Sequence, residues 1–498
     1  MLRILQVTGD VPLYPWSIRG FSPAERDKLT PRSERGRALL PGDSRPYSYE
    51  GLHVELLPVE AGAIYNSTFP YGFNDGPLWA GRGVTGYVSA GFAGRVGRLS
   101  FQLEPMVFDA SNNRFSLKSN GVPANPFADA QYPGIIDLPQ RFGNGSYRRF
   151  DLGRSSVRLD LGPVATELST ADQWWGPAIQ SPLLLGNNAG GFPHLMIGSA
   201  HPISIWIGDV HARVVWGKLT ESAFAPNLAT TAPTSRFMSG VVGVFTPRGV
   251  PGLELGAARF FHTEWPSNGL SHAPFGRPFE GILKAQLVTP DNPTGNSPDN
   301  QLASVFFRWA LPGAGLDVYG EYGREDHNQD IRDFWQELDH DAGVVLGLQK
   351  AWTQRSGAVL VARGEILNTR VSHLQQGRAQ APWYAHTYLT QGHTVNGQAL
   401  GAAGAFGGGA STLAVDEYNA RGRWTFAWNR IMRAEPLETS GLPVDSKADV
   451  MHAFGVERER NLGRSSLVVS GYGVFDLNRD FDADKFSLNL SAAFRAAF

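Results

Sequence analysis

From Lys485 to the last residue, the chain alternates without a break. Phe486, Leu488, Leu490, Ala492, Phe494, Ala496 and Phe498 fall on one side, and Lys485, Ser487, Asn489, Ser491, Ala493, Arg495 and Ala497 on the other. Side chains of a strand point to opposite faces with a period of two, so one face is fully apolar. A sandwich strand can show the same pattern. Here the strand ends the chain, and the final residue is aromatic. That ending resembles the C-terminal signal of bacterial outer-membrane β-barrels, and it makes the alternation a statement about compartment.

The alternation recurs from about residue 51 onward. Trp206, Gly208, Val210, Ala212, Val214 and Trp216 oppose Asp209, His211 and Arg213. Ala303, Val305, Phe307 and Trp309 oppose Ser304 and Arg308; Leu316, Val318 and Tyr322 oppose Asp317 and Glu321. Leu360, Ala362 and Ile366 oppose Arg363 and Glu365, and Trp424, Phe426 and Trp428 oppose Arg423, Thr425 and Asn429. Charges buried between two sheets would be costly. In a wide barrel the same charges face a wet lumen and the apolar stripe faces lipid. Stripes ending in Trp, Phe or Tyr suit an aromatic girdle. We count about 16 to 18 candidate strands, and an open sheet of that size would leave unpaired edges in lipid that only closure removes. The expected fold is therefore all-β: a closed antiparallel transmembrane β-barrel of about 18 strands.

Composition agrees. The 58 glycines, 33 prolines and 11% aromatics suit many strands and many turns. Turn-rich stretches lie at Asn292–Pro298, Asp326–Asp330 and Gly404–Gly409. A formal net charge of -2 gives no reason to expect nucleic acid as a partner. With no cysteine there are no disulfides and no Cys-ligated metal. No apolar run is long enough for a transmembrane helix, and Thr394 to Val415, mostly Gly and Ala, reads as a loop or weak strand. Met1 to Val7 is too short for the apolar core of a secretory signal, so an outer-membrane assignment expects a leader ahead of this start.

Residues 1–50 read differently from 51–498. Ser22-Pro23-Ala24-Glu25 combines an N-cap serine, a first-turn proline and a capping-box glutamate. One or two short, exposed helices ahead of the barrel are expected, with a disordered leader as the alternative.

Most motif matches dissolve on inspection. Gly81-Arg82-Gly83-Val84-Thr85-Gly86 fits G-x-G-x-x-G, but another strand follows it rather than a helix, so it reads as a tight turn. His262-Thr263-Glu264, Asp326-His327 and Asp339-His340-Asp341 lack metal-ligand spacing and read as loop polarity. No G-x-S-x-G elbow occurs. A glycosidase's carboxylate pair is defined by distance in space and does not show in a sequence. No catalytic residue, metal site or cofactor is expected.

Two segments stand out. Tyr65 to Gly76 (YNSTFPYGFNDG) is followed by Leu78-Trp79 and Gly81-Arg82-Gly83. Trp174-Trp175-Gly176-Pro177 leads to Ser181, Leu183-Leu184-Leu185, Asn187-Asn188-Ala189 and Phe192-Pro193. Each packs aromatics, Gly/Pro turns and Asn together. Aromatic faces beside amide and carboxylate groups suit sugar rings; a plug whose aromatics fill space fits equally well. The candidate polysaccharide-binding residues are Trp174, Trp175, Asn187, Asn188, Tyr71, Asp75 and Trp79.

With these residues in view, the W-W-G-P segment leading to L-L-L-G-N-N-A and F-P resembles the hallmark of the Wzi family of capsule-assembly outer-membrane proteins. The N-S-T-F-P-Y-G-F-N-D-G segment with W-x-G-R-G is similar to that family's early region. Gly392-His393-Thr394 with Gly397-Gln398-Ala399-Leu400-Gly401 is similar to a later stretch, in the same order. The resemblance implies a barrel of about 18 strands with a helical part at its periplasmic end and loops folded over the lumen. Residues 1–50 would be that helical part, in shortened form. It also implies a non-enzymatic, lectin-like surface protein of the bacterial outer membrane that attaches or organises capsular or extracellular polysaccharide. Outer-membrane lipid and, through the Phe498 strand, the barrel assembly machinery would be its other partners. A porin-like channel is the alternative.

Overall fold

Period-two alternation becomes a wall in which each strand pairs antiparallel with the next in the chain. The computed structural model describes the chain apart from residues 32, 40–46, 50, 227–234, 282, 291–298, 326–329, 371–380, 434–447 and 498. Phe498 and the turns at 292–298 and 326–329 thus lie outside the described residues. Among the described residues, eighteen strand positions make one closed antiparallel barrel. It closes where Leu52–Asn66 pairs with Ala483–Ala496, in register from Val59 opposite Ala496 to Asn66 opposite Asn489. The first strand bulges between Leu57 and Glu60, around Pro58, which has no N–H to give to the ladder. Two strands are interrupted and resume: Leu99–Leu103 as Met106–Ala110, and Tyr147–Asp151 as Ser156–Leu161. No described helix is long and apolar enough to cross a membrane.

The two faces sort as the alternation requires. On the last strand Phe486 is 50% exposed and Phe494 45%, while Ser487 and Asn489 are buried. Val305, Phe307 and Trp309 face outward and Ser304 and Arg308 inward; Phe426 faces outward and Thr425 inward. The apolar side therefore faces out of the barrel and the polar side faces the lumen. One correction concerns the Gly- and Ala-rich stretch from Thr394: its second half begins a full wall strand, Gly408–Asn419, paired on both sides. Alanine and glycine obscured the alternation, yet Ala410 and Ala414 still point inward and Leu413 outward.

The two ends of the barrel differ. At one end the turns 97–98, 162–163, 420–421 and 463–464 have two residues each. At the other end, long connections such as 67–82, 111–146 and 170–193 fold over and into the lumen. Their side chains, with wall residues, form one hydrophobic core inside the barrel. Trp175, Leu183, Leu184, Leu185, Phe192, Trp383, Tyr384 and Leu400 pack there against Val215, Met238, Phe260, Leu302 and Val345.

The short-turn end is filled by the N-terminal residues. Three short helices, Leu2–Val7, Pro23–Lys28 and Glu34–Ala38, occur there. The expected capping box is present: the Ser22 N–H donates to Glu25 Oε2 at 2.8 Å, and the Glu25 N–H to Ser22 Oγ at 3.3 Å. The segment is only partly exposed: Arg26, Lys28, Glu34 and Arg37 are exposed, but most of its apolar residues are not. Ile4, Leu5, Val7, Val11 and Leu29 are buried against Ala310, Ala351, Val359 and Val361 of the inner wall. The reason is electrostatic as well as apolar: Arg3 reaches Asp317 at 2.7 Å, and Glu254 accepts the Trp16 and Ser17 N–H groups, each at 2.9 Å.

Candidate functional site

The inward charges of the alternation hold the chain's own loops. The Glu365 carboxylate accepts the N–H groups of Ile179 (2.6 Å), Gln180 (3.1 Å) and Ser181 (2.6 Å), and the Tyr319 hydroxyl at 2.7 Å. Those three N–H groups begin one residue after Trp174-Trp175-Gly176-Pro177. On the other side of the turn, Arg308 spans Glu254 at 2.6 Å and Asp317 at 3.0 Å, and Glu254 carries the N-terminal backbone. Buried ion pairs of this kind offset their desolvation only when the remaining lone pairs find donors, and here backbone amides supply them.

The W-W-G-P turn is where both fillings meet. The Gly176 N–H donates to Ser17 O at 2.8 Å, and Gly176 sits at φ +95°, a conformation a side chain would strain. The Arg19 guanidinium lies 3.9 Å over the Trp174 ring, and Trp174 Nε1 donates to Ala178 O. Trp175 is 1% exposed and packs edge-on against Phe260.

The three segments singled out in the sequence interlock. The Gly76 N–H donates to Asn187 O at 2.7 Å, and Asn187 Nδ2 to Asn74 O at 2.9 Å. Asn188 Nδ2 donates to Ala399 O at 3.1 Å, and the Gly186 N–H to Leu400 O at 2.9 Å. Tyr384 Oη donates to Leu183 O at 2.5 Å and accepts the Ala402 N–H at 3.0 Å. Gly401 is forced: a Cβ there would stand 2.1 Å from Tyr384 Oη and 2.6 Å from Leu183 O. Tyr71 is buried beside Phe73 and Tyr472. Trp79 is half-buried in an aromatic group with Phe142 and Tyr147.

His393 anchors the third segment. A carbonyl only accepts, so its Nε2 carries the proton toward Leu184 O at 2.5 Å. Its bare Nδ1 then accepts from His262 Nε2 at 2.8 Å. Burial pushes the His393 imidazole down to about 3, which keeps this neutral pair intact at physiological pH. The expectation that His262 reflects loop polarity fails: it is a fully buried residue at a strand end.

Beside these loops a cavity of about 290 Å³ opens between the first wall strands and the loops 67–82 and 170–193. Glu60, Glu104, Asp75 and Asp172 give it carboxylates, Asn74 and Asn187 amides, and Tyr87 a phenol. Tyr87 Oη donates to Glu60 at 3.1 Å, and Arg154 pairs with Asp172 at 3.0 Å. Among the described residues, the Oδ1 atoms of Asn74 and Asn187 have no hydrogen-bond partner. Asp75 keeps an open face to the cavity, although protein surrounds its carboxyl; that desolvation pushes it up to about 7, an effect the open face tempers. Of the seven residues proposed from sequence, the cavity gathers Asp75 and Asn187. Trp79 lies apart in its aromatic group, and Trp174, Trp175, Asn188 and Tyr71 lie in the interlocked loops. Glu60, Glu104 and Asp172 were not singled out in the sequence. Nothing in their spacing marks them, since three different segments bring them together. Among the described residues no group of three or more ligating side chains is placed to hold a metal ion.

A closed barrel with an apolar outer band and a lumen filled by its own loops is an outer-membrane β-barrel of the bacterial cell surface. The profile of the capsule assembly protein Wzi family matches residues 71–416, more than half of the chain. The chain belongs to that family. No curated protein matches it. Among solved structures, it is similar to Wzi of Escherichia coli, an outer-membrane protein involved in group 1 capsule assembly and described as a carbohydrate-binding β-barrel. The identity is 15% and the TM-score 0.63, over 100% of this chain and 97% of that one. OccAB2 of Acinetobacter baumannii follows at 10% identity and a TM-score of 0.42, covering 88% and 97% of the two chains. OccK9 of Pseudomonas aeruginosa also has 10% identity and 0.42, covering 89% and 98%.

Proposed function

We propose that the protein binds capsular or other extracellular polysaccharide at the cell surface and holds it there as a lectin-like attachment point, without catalysing its conversion. The observation that carries this reading is the polar cavity set among interlocked loops in a barrel whose lumen is otherwise filled. Carboxylates accept hydrogen bonds from sugar hydroxyls, and Asp75 offers one in this pocket beside the Asn187 side chain. Trp79, half-buried outside the cavity with Phe142 and Tyr147, offers a separate ring face as a second contact. Trp174, Trp175, Tyr71 and Asn188 hold these groups in place. Single contacts of this kind contribute on the order of 1 kcal/mol, so retention of a polymer rests on many weak sites at once. A filled lumen favours this role over a porin-like channel, which needs a continuous water path.

The same reading sets the short-turn end, with residues 1–50, toward the periplasm and residues 51–498 as the membrane barrel. Short turns on the periplasmic side and long loops outside are the pattern of such barrels. The apolar band would contact outer-membrane lipid, and the last strand would present its end to the barrel assembly machinery.

The test is binding of detergent-purified protein to the host's own surface polysaccharide. Wild type should retain it, and Asp75→Ala together with Asn187→Ala should release it while the barrel stays folded. Unchanged retention in that double variant removes the cavity from the function. Shortening of the polysaccharide in a chain-length assay would make the protein an enzyme instead.

A further inference from the structure

Strand lengths around the wall are uneven. Val164–Ser169 and His194–Ser199 have six residues each, whereas the next strand, Gly208–Thr220, has thirteen. Above the two short strands the chain leaves the wall and dives into the lumen. On the outer surface this leaves a groove of about 810 Å³, within the ~300–1,000 Å³ range of pockets that hold small ligands. Its floor is made of outward-facing Phe92, Leu103, Val157 and Leu168, the last 64% exposed.

A loop from the long-connection end forms one side of the groove. Residues 265–279 fold down over the outer wall instead of rising from it. Trp216 Nε1 donates to Phe275 O at 3.0 Å, and the Phe275 ring stands 5.3 Å from that of Phe237. Leu270 and Phe275 remain exposed along the groove. At its rim is Lys218, whose ammonium lies 5.0 Å from the Trp265 ring. Lys218 alternates with inward Gly217 and Leu219, so it points out of the barrel, and it is exposed. Among the described residues it has no carboxylate partner. A cation on the lipid face is costly at mid-membrane and nearly free at headgroup height. Lys218 stands two residues from the long-loop end of its strand, away from the middle of the wall.

We propose that this groove is a binding site for a single phosphate-bearing membrane lipid of the leaflet at the long-loop end. An acyl chain lies on Phe92, Leu103, Val157 and Leu168, and the phosphate is held by Lys218. The chemistry that selects the ligand is the pairing of an apolar trench with a cation above it that has no carboxylate partner among the described residues. The site is separate from the polysaccharide cavity and does not depend on it.

The test is native mass spectrometry of the full-length protein released from detergent after incubation with dipalmitoyl phosphatidic acid or, in parallel, dipalmitoylglycerol. Wild type should carry one phosphatidic acid and retain it about fivefold better than the uncharged lipid, the scale of one cation near a phosphate. Lys218→Gln should erase that preference, and Leu270→Ser with Phe275→Ser should lower retention of both lipids. Heat-shifted gel mobility checks that each variant is folded. Equal retention of the two lipids by wild type, an unchanged preference in Lys218→Gln, or a second copy of the chain in place of lipid overturns the proposal.

Discussion

Asn489 Nδ2 donates to Asn66 Oδ1 at 2.8 Å across the seam where the barrel closes, 423 residues apart in the chain. The same Asn66 turns its own amide to the carbonyls of Tyr71 (3.0 Å), Ala80 (3.0 Å) and Gly81 (3.3 Å). One buried side chain therefore joins barrel closure to the base of the loop 67–82, which carries Asp75. The wall and the site are not independently built.

Asn66→Ala should weaken both. Three buried carbonyls and the Asn489 amide lose their partner, and leaving such groups unmet costs about 1–3 kcal/mol each way it is measured. The expected result is a lower unfolding temperature in detergent and a loss of polysaccharide retention in the same variant. An Asn66→Ala barrel as stable as wild type would mean that the seam hydrogen bond adds nothing to closure.

Glu365→Ala removes the acceptor of three consecutive loop N–H groups and of the Tyr319 hydroxyl. The loop after Trp174-Trp175 should loosen while the apolar wall stays intact. Planar-bilayer recordings should show conductance steps where wild type is nearly silent. Silence in the variant would place the whole barrier in the hydrophobic core.

Trp175→Ala and Trp79→Ala should separate support from contact. Trp175 is fully buried, and truncating such a ring costs about 3–5 kcal/mol. The variant should lose thermal stability first and retention only as a consequence. Trp79 is half-buried, so Trp79→Ala should lower retention with a smaller change in unfolding temperature. The opposite ranking would exchange the two roles.

Glu25 makes the docking of the N-terminal segment depend on pH. Burial alone would raise its carboxyl, but Arg213, the Ser22 N–H and the Tyr14 hydroxyl outweigh that and hold it below the usual carboxylate range. A folded value below the unfolded one stabilises docking above the ordinary glutamate range, near pH ~4.3, and that stabilisation is lost as pH falls through the folded value. Hydrogen-exchange protection of residues 1–30, taken relative to the intrinsic rate at each pH, should be high at pH 7 and fall as the medium is acidified below about 4. In Glu25→Gln the acid-induced step should vanish.

The barrel was legible because its signal is local. Phe486, Leu488 and Leu490 declare an apolar face two residues at a time, and Ser22 with Glu25 declares a helix start within four. Trp174 and Trp175 show how far such reading goes. Their clustering marked a special loop, but whether the rings faced sugar or core depended on Glu365, Phe260 and Arg19, none of them nearby in the chain. The same holds for residues 1–50. Their helices read as exposed until Asp317 stood opposite Arg3 and Glu254 took the Trp16 and Ser17 N–H groups.

Alternating side chains, turn residues and the three family segments were enough to establish a closed membrane barrel and its family, since each is written in adjacent residues. Which inward charges hold loops, that both mouths are filled, and that Asp75 meets Glu60, Glu104 and Asp172 in one cavity emerged only with the folded chain. The reason is register: a cylinder of many strands brings together residues hundreds of positions apart, and no short window of the chain carries that information.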